Sequence, residues 1–209
     1  MAKIQPLPLA PSPPFSIADE HQSLQKQQAV YTVWMKSLVF SGSGCTVYGA
    51  DGGVAFRVDN YACRGGREVF FMDRAGNALI RIRRKGFGVF RRWEACRCVD
   101  GGAGDGEGLR EETAARPWFG VRKAGKGAAA VTMHGGGGRA YRIDGCARKS
   151  EYRIVGAADG AVAAAIGRKQ TASGVVLGED VLTLTVGPEV DHLLALGLVV
   201  VCGLMNRSM

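Results

Sequence analysis

The stretch GPEVDHLLALGLVVVCGLMNRSM, residues 187–209, has no charged side chain between Leu193 and Met205. Such a run suits a membrane anchor, a partner-binding helix or the middle of a protein core. Gly187 and Pro188 interrupt the strand-like residues before it, and proline is favoured in a first helical turn. Glu189 and Asp191 stand where the positive end of a helix dipole favours negative charge. A helix over Val190 to Asn206 is therefore expected. Its uncharged run of thirteen residues covers about 20 Å at 1.5 Å per residue, whereas a bilayer core needs about 30 Å. Gly197 and Gly203 are six apart, not at the Gly-x-x-x-Gly spacing of paired membrane helices. The stretch reads as a buried core helix, and no transmembrane span is expected.

Upstream, the dominant pattern is alternation. VAFRVDN sets Val54, Phe56 and Val58 against Arg57 and Asp59. ALIRIRR sets Ile80 and Ile82 against Arg81 and Arg83, and VLTLTVG sets Leu182, Leu184 and Val186 against Thr183 and Thr185. Each describes a strand with one buried and one wet face, as in antiparallel sheets. Asp-Gly and Gly-Asn turns fall between such strands in GADGGV, RAGNAL and AADGAV, where hairpins need positive φ. Roughly ten to twelve strands are expected. VYGADGGVAFRV and YRIVGAADGAVAAAI share one strand–turn–strand layout, although too briefly to establish a repeat. Segments 98–116 and 124–140 read as Gly-rich irregular interruptions, each a hairpin loop grown long.

A helix that is apolar on every side must be surrounded on every side, and many one-faced strands must bury that face on something. Both needs are met if the strands close into a barrel and the helix fills its bore, which a dozen strands would otherwise leave as a large cavity.

The chain of 209 residues is 46% hydrophobic, enough for a sizeable core. Residues 1–29 are rich in proline and then glutamine and read as a disordered arm. The body runs over 30–206, with 207–209 as a tail. The start of the chain lacks the apolar segment of a secretory signal, so an intracellular location is expected, in the cytoplasm, at the plasma-membrane periphery or in the nucleus. The six cysteines then read as free thiols. Cys96 and Cys98 form a C-x-C pair without the second pair a zinc site requires. The net charge of +8 suits anionic partners such as lipid headgroups or nucleic acid, and equally serves solubility.

The segment YTVWMKSLVFSGSGCTVYGADGGVAFRVDNYACRGGREVFFMDRAGNALIRIRRK, with the later RRW and the terminal VDHLLALGLVVV, resembles the plant LURP-one-related family over about residues 30–206. The resemblance implies a mainly β fold, a twelve-stranded antiparallel barrel enclosing a hydrophobic C-terminal helix. It also implies kinship with the tubby C-terminal domain and with phospholipid scramblases. Tubby relatives bind phosphoinositides and act as membrane-tethered transcription regulators, and the family's founding member is linked to plant defence. None of their headgroup-binding residues is carried over to positions of this sequence. The Gly-rich stretches 101–108 and 135–138 depart from the family pattern.

Motifs that could carry catalysis fail on inspection. GVRKAGKG, residues 120–127, lacks the Ser or Thr of a phosphate-binding loop and precedes AAAVTM, which reads as a strand. HGGGG at His134 has no G-x-S-x-G elbow to serve. NRS at 206–208 matches a glycosylation acceptor that an intracellular chain would not use. His21 lies in the arm, and His192, at the start of the helix, suits capping or packing. No nucleophile–base set can be assembled. A non-enzymatic binding or adaptor protein is therefore expected, without cofactor or metal.

The candidate site is RIRRKGFGVFRRW, residues 81–93. Its cations are Arg81, Arg83, Arg84, Lys85, Arg91 and Arg92, with no acidic residue and with Phe87 and Phe90 near a Gly86/Gly88 turn. A basic hairpin tipped with aromatics suits anionic phospholipid headgroups. It also suits nucleic-acid phosphates, although direct nucleic-acid contact is not the favoured reading. A plain solvated strand face with inward Phe side chains remains open, as do protein partners and a scramblase-like handling of lipid.

Overall fold

The computed structural model describes residues 28–36, 44–59, 68–86, 92–98, 117–125, 127–135, 140–145 and 150–206. Twelve strands precede one helix among them. They are β1 (Ala29–Trp34), β2 (Cys45–Tyr48), β3 (Val54–Asp59), β4 (Glu68–Asp73), β5 (Ala78–Lys85) and β6 (Arg92–Arg97). The second half follows as β7 (Pro117–Lys123), β8 (Ala128–Met133), β9 (Tyr141–Asp144), β10 (Tyr152–Gly156), β11 (Val162–Arg168) and β12 (Val181–Val186). The helix is α1 (His192–Asn206).

Every strand pairs with its sequence neighbours in antiparallel fashion, and β12 pairs with β1, Ala29 facing Val186, so the sheet closes. The alternation found in the sequence decides which face lines the bore. Ile80, Ile82, Leu182, Leu184, Val186 and Val58 are fully buried, while Arg81, Arg83, Thr183 and Thr185 lie on the outer wall. The hairpins β2–β3 and β10–β11 resemble each other in detail. Each has a register shift one residue before its turn. Each turn holds an Asp, Asp51 or Asp159, that accepts a hydrogen bond from the backbone N–H two residues on. Each contains a glycine at positive φ, Gly52 or Gly160.

The helix fills the bore. Leu194 to Cys202 are buried without exception. At its middle Gly197 approaches the wall so closely that a Cβ there would stand 3.1 Å from the Phe119 ring and 3.5 Å from Ile80. No helix among the described residues is long and apolar enough to cross a membrane. The greasy stretch is core, packed on all sides as its lack of a polar face requires.

Two expectations are corrected here. The segment 124–140 is not one irregular loop, because AAAVTM within it forms β8, as the strand reading of that hexapeptide required. Ala129 and Val131 of that strand face the bore and Ala128 and Ala130 do not, a distinction that alanine side chains conceal in the sequence. The helix also begins later than expected. Asp191 is its cap, accepting the Leu194 N–H at 3.1 Å, which satisfies one of the orphan donors of the first turn. Pro188 and Glu189 precede it in a turn. Glu189 sits there at φ 63°, a left-handed conformation that costs an L-residue about 1–2 kcal/mol. Glu189→Gly is expected to raise stability by up to about 1 kcal/mol; an unchanged or lowered urea midpoint would refute a strained turn.

At the start of the body, β1 begins one residue inside the expected arm, at Ala29. The rest of the arm, residues 1–27, and the tail 207–209 lie outside the described residues. So does 99–116, most of the other expected interruption. Cys96 and Cys98 are free thiols.

Because strand directions alternate, the barrel has two distinct mouths. Odd-numbered strands run from a lower to an upper mouth. The helix enters at the lower mouth, where Arg97 at the end of β6 pairs with the Asp191 cap at 2.5 Å and stacks on Trp118 at 4.0 Å. Just inside, the Tyr31 hydroxyl meets His192 Nδ1 at 3.0 Å, and burial raises the Tyr31 phenol's pKa. His192 is thus a packed, hydrogen-bonded core residue, as its position in the sequence suggested.

Candidate functional site

The basic tract folds as the facing ends of β5 and β6. Arg81 pairs in register with Cys96, Arg83 with Glu94, Arg84 with Trp93 and Lys85 with Arg92. Strand parity sends Arg81, Arg83, Lys85 and Arg92 outward. Arg84 has inward parity but stands at the upper rim, exposed above Trp93. Arg91, Phe87 and Phe90 lie outside the described residues.

Not all of this charge is available. Arg81 forms an ion pair with Glu68, Nε to Oε1 2.7 Å. Arg83 and Lys85 converge on Glu94, at 3.2 and 2.7 Å. Glu94 directly follows the tract in sequence and is nearly buried on the outer wall, its side chain 10% exposed. Burial alone would push its carboxyl up, but hydrogen bonds from Lys85 and Arg83 outweigh that and hold it below its ordinary value. Half of the expected site is therefore a salt-bridge cluster that ties β4, β5 and β6 together.

Other cations stand beside this cluster. Arg92 pairs in register not only with Lys85 but, on its other side, with Arg122 of β7. Lys85, Arg92 and Arg122 thus form a continuous row across three strands on the outer wall, and Lys123 follows at the rim. Arg84, Arg92, Arg122 and Lys123 are exposed and make no ion pair with any of the described residues. Like charges directly opposite one another on a sheet are destabilising, and nothing in the barrel's packing requires these.

Several alternatives fall away on geometry. His134 directly follows β8, its backbone N–H donating to the Trp118 carbonyl at 2.8 Å, and its ring covers Gly120. GVRKAGKG forms the β7–β8 hairpin, so AAAVTM is indeed a strand and not the helix a phosphate loop needs. Burial raises the Cys96 and Cys98 thiols, the opposite of the lowered pKa that marks a nucleophilic cysteine. A concavity of about 580 Å³ on the outer wall of β9–β12 is lined by Asp144, Glu151, Arg153 and the small residues Gly167, Thr183 and Thr185. Its charges are mixed, and no catalytic geometry converges there. Among the described residues no group of three or more His, Cys, Asp or Glu side chains could hold a metal.

Fold and site together define a class: a closed antiparallel barrel filled by an apolar helix, carrying a cationic corner on its outer wall. The chain belongs to the LURP-one-related family, whose model matches residues 29–203. It is 35% identical over 195 residues to Protein LURP-one-related 11 of Arabidopsis thaliana, spanning 88% of this chain and 80% of the relative. With Protein LURP-one-related 8 of the same plant it shares 32% identity over 92% of this chain and 95% of that one. A crystal structure of an Arabidopsis thaliana protein superposes with a TM-score of 0.59 at 16% identity, covering 87% of this chain and 93% of the other. That likeness concerns the fold.

Proposed function

We propose that the protein is a non-enzymatic binding module that docks on anionic phospholipid surfaces through the upper corner of β5, β6 and β7. The observation that carries this reading is Arg92 directly beside Arg122, two exposed cations with no ion pair to any described residue, held side by side at a cost to stability. Each Lys or Arg near an anionic leaflet contributes about 1 kcal/mol, so the row with Arg84 and Lys123 suffices for reversible association. The tubby-like kinship implied by the sequence supports phosphoinositide as one headgroup. A role as a membrane-tethered regulator, in defence among other settings, is the corresponding biological reading. The scramblase-like alternative requires a spanning element, and burial of α1 in the bore counts against that helix serving as one.

Co-sedimentation with phosphatidylcholine vesicles containing phosphatidylserine, phosphoinositide or neither tests the reading at low and physiological salt. Binding to the anionic vesicles alone is expected. Arg92→Ala/Arg122→Ala should weaken it about 30-fold, from the loss of about 2 kcal/mol. Absence of binding, or indifference to this double substitution, would sink the proposal and direct attention to protein partners. Binding to DNA with a steep salt dependence, and not to vesicles, would favour the nuclear reading.

A further inference from the structure

We infer that the protein meets the anionic surface end-on, with its whole upper mouth, and that the loop between β11 and β12 dips two valines into the lipid interface. The inference rests on the lipid reading above and adds to it an orientation and an apolar contact.

The first observation is an axial division of charge. Besides the row, Arg84 and Lys123, the upper mouth carries Lys36 after β1, Arg168 at the end of β11 and Lys169 just beyond it. Its described acids are mostly paired: Asp180 with Lys36 at 3.0 Å, Glu179 with Arg168 at 3.1 Å, and Glu68, Glu94 and Asp144 with Arg81, Lys85 and Arg142, each at 2.7 Å. Asp59 and Glu151 also stand at strand ends there, and with Arg81, Arg83, Arg142 and Arg153 counted the cations of this half still outnumber its acids. At the lower mouth the balance reverses. Asp51, Asp73, Asp159, Glu189 and Asp191 stand in the turns and strand ends there, against Arg74 and Arg97 among the described residues. A barrel divided in this way is turned by the field of an anionic surface so that its upper mouth leads.

The second observation is independent of charge. Val175 and Val176 are 59% and 47% exposed, adjacent in sequence, and sit on a loop that extends past the rim. Gln170 forms a bridge with Val176 beyond the last β11–β12 pair, Arg168 with Leu182. The loop has a fixed shape. The Thr171 N–H donates to the Val175 carbonyl, Gly174 N–H to the Thr171 carbonyl, and Leu177 N–H to the Lys169 carbonyl. Thr171 Oγ1 accepts from the Val175 N–H at 3.1 Å. Asp180, at the base of the loop, accepts from the Trp34 indole at 3.1 Å and pairs with Lys36. A loop held this firmly presents its valines to water without relief. Apolar side chains on a rim of cations match the composition of an anionic lipid interface, with charge at the headgroups and hydrocarbon just below. In the closed order of strands β12 stands six places from β6, diametrically across the mouth from the cationic row, so both touch one plane only if the barrel stands on its end.

The experiment uses the full chain with one tryptophan added at Val176 or, as control, at Val162, a valine 54% exposed at the lower mouth, each read as the difference from the native emission of Trp34, Trp93 and Trp118. Vesicles are phosphatidylcholine with 30 mol% phosphatidylserine, with and without brominated lipid. Emission of Val176→Trp is expected to shift to the blue and to be quenched by bromine on binding, while Val162→Trp does neither. Val175→Asp/Val176→Asp should bind about 100-fold or more weakly, given about 1.5 kcal/mol for each of the two valines withdrawn from the interface, and Val162→Asp should bind as the native chain does. Circular dichroism confirms that each variant is folded. If the native chain binds, Arg92→Ala/Arg122→Ala weakens it and Val176→Trp emission stays unshifted, the end-on orientation is wrong and the lipid reading survives. A native chain that ignores these vesicles, or binds only nucleic acid, overturns both.

Discussion

Leu198→Asp is expected to abolish the cooperative unfolding transition. Leu198 is fully buried in the middle of α1, one residue from Gly197, which the Phe119 ring touches. The substitution removes about 2–3 kcal/mol of apolar burial and places a carboxylate where no described cation can reach it. Its desolvation adds several kcal/mol more. The sum is comparable to the whole stability of a domain, about 5–15 kcal/mol. Leu198→Ala, which leaves only a cavity, should cost about 2–5 kcal/mol and keep a cooperative melt at a lower midpoint. Urea unfolding followed by near-ultraviolet circular dichroism separates the two. A Leu198→Asp protein with the native midpoint would mean that the helix does not occupy the bore.

Glu94→Gln is expected to move stability and lipid affinity in opposite directions. Removing one member of a buried ion pair costs about 3–5 kcal/mol. Arg83 and Lys85 are each about one-third exposed, at 34% and 37%, and can turn toward water, so about 2–3 kcal/mol is expected. The same change adds one unit of positive charge to the outer corner and frees two cations, which should tighten binding to phosphatidylserine vesicles about fivefold or more. A merely structural role would lower stability and leave affinity alone. The pH dependence follows from the sign of the shift. The native Glu94 carboxyl lies below its unfolded value of about 4.3, held there by Lys85 and Arg83 against its burial. Its stabilisation is present above that unfolded value and disappears as pH falls through the lower, folded one. The stability gap between native and Glu94→Gln protein should therefore be wide at pH 7 and close toward pH 3. A gap that persists in acid would show that something other than the ionised carboxylate is at stake.

These residues also mark the limits of what the sequence discloses. The bore-facing set was legible wherever large side chains alternate with charged ones or threonines, as in Ile80–Ile82 and Leu182–Val186. In β8 the strand was legible but its bore-facing side was not, because alanine carries the same signal on both faces. The helix was legible from the absence of any polar face, but its start was not, since the turn before it places Glu189 in a conformation that glycine usually takes. The candidate site was half legible. A hairpin turning near Gly88 brings Arg83 opposite Glu94 by simple counting, so the neutralising carboxylate could have been found one residue beyond the tract. Arg122 could not. Its place beside Arg92 depends on the register of β6 against β7 across a long intervening segment, and register over such a span is set by tertiary packing and not by local pattern.

The order of elements along the chain has a consequence for synthesis. All twelve strands precede α1, and β1 must wait for β12 to close the wall. A nascent chain that has emerged as far as Val186 therefore holds a dozen one-faced strands and nothing to wrap them around. Folding during elongation cannot be completed piecewise from the N-terminus. The apolar lining stays exposed until the helix clears the ribosome, and through that interval the chain depends on chaperones or on speed to avoid aggregation.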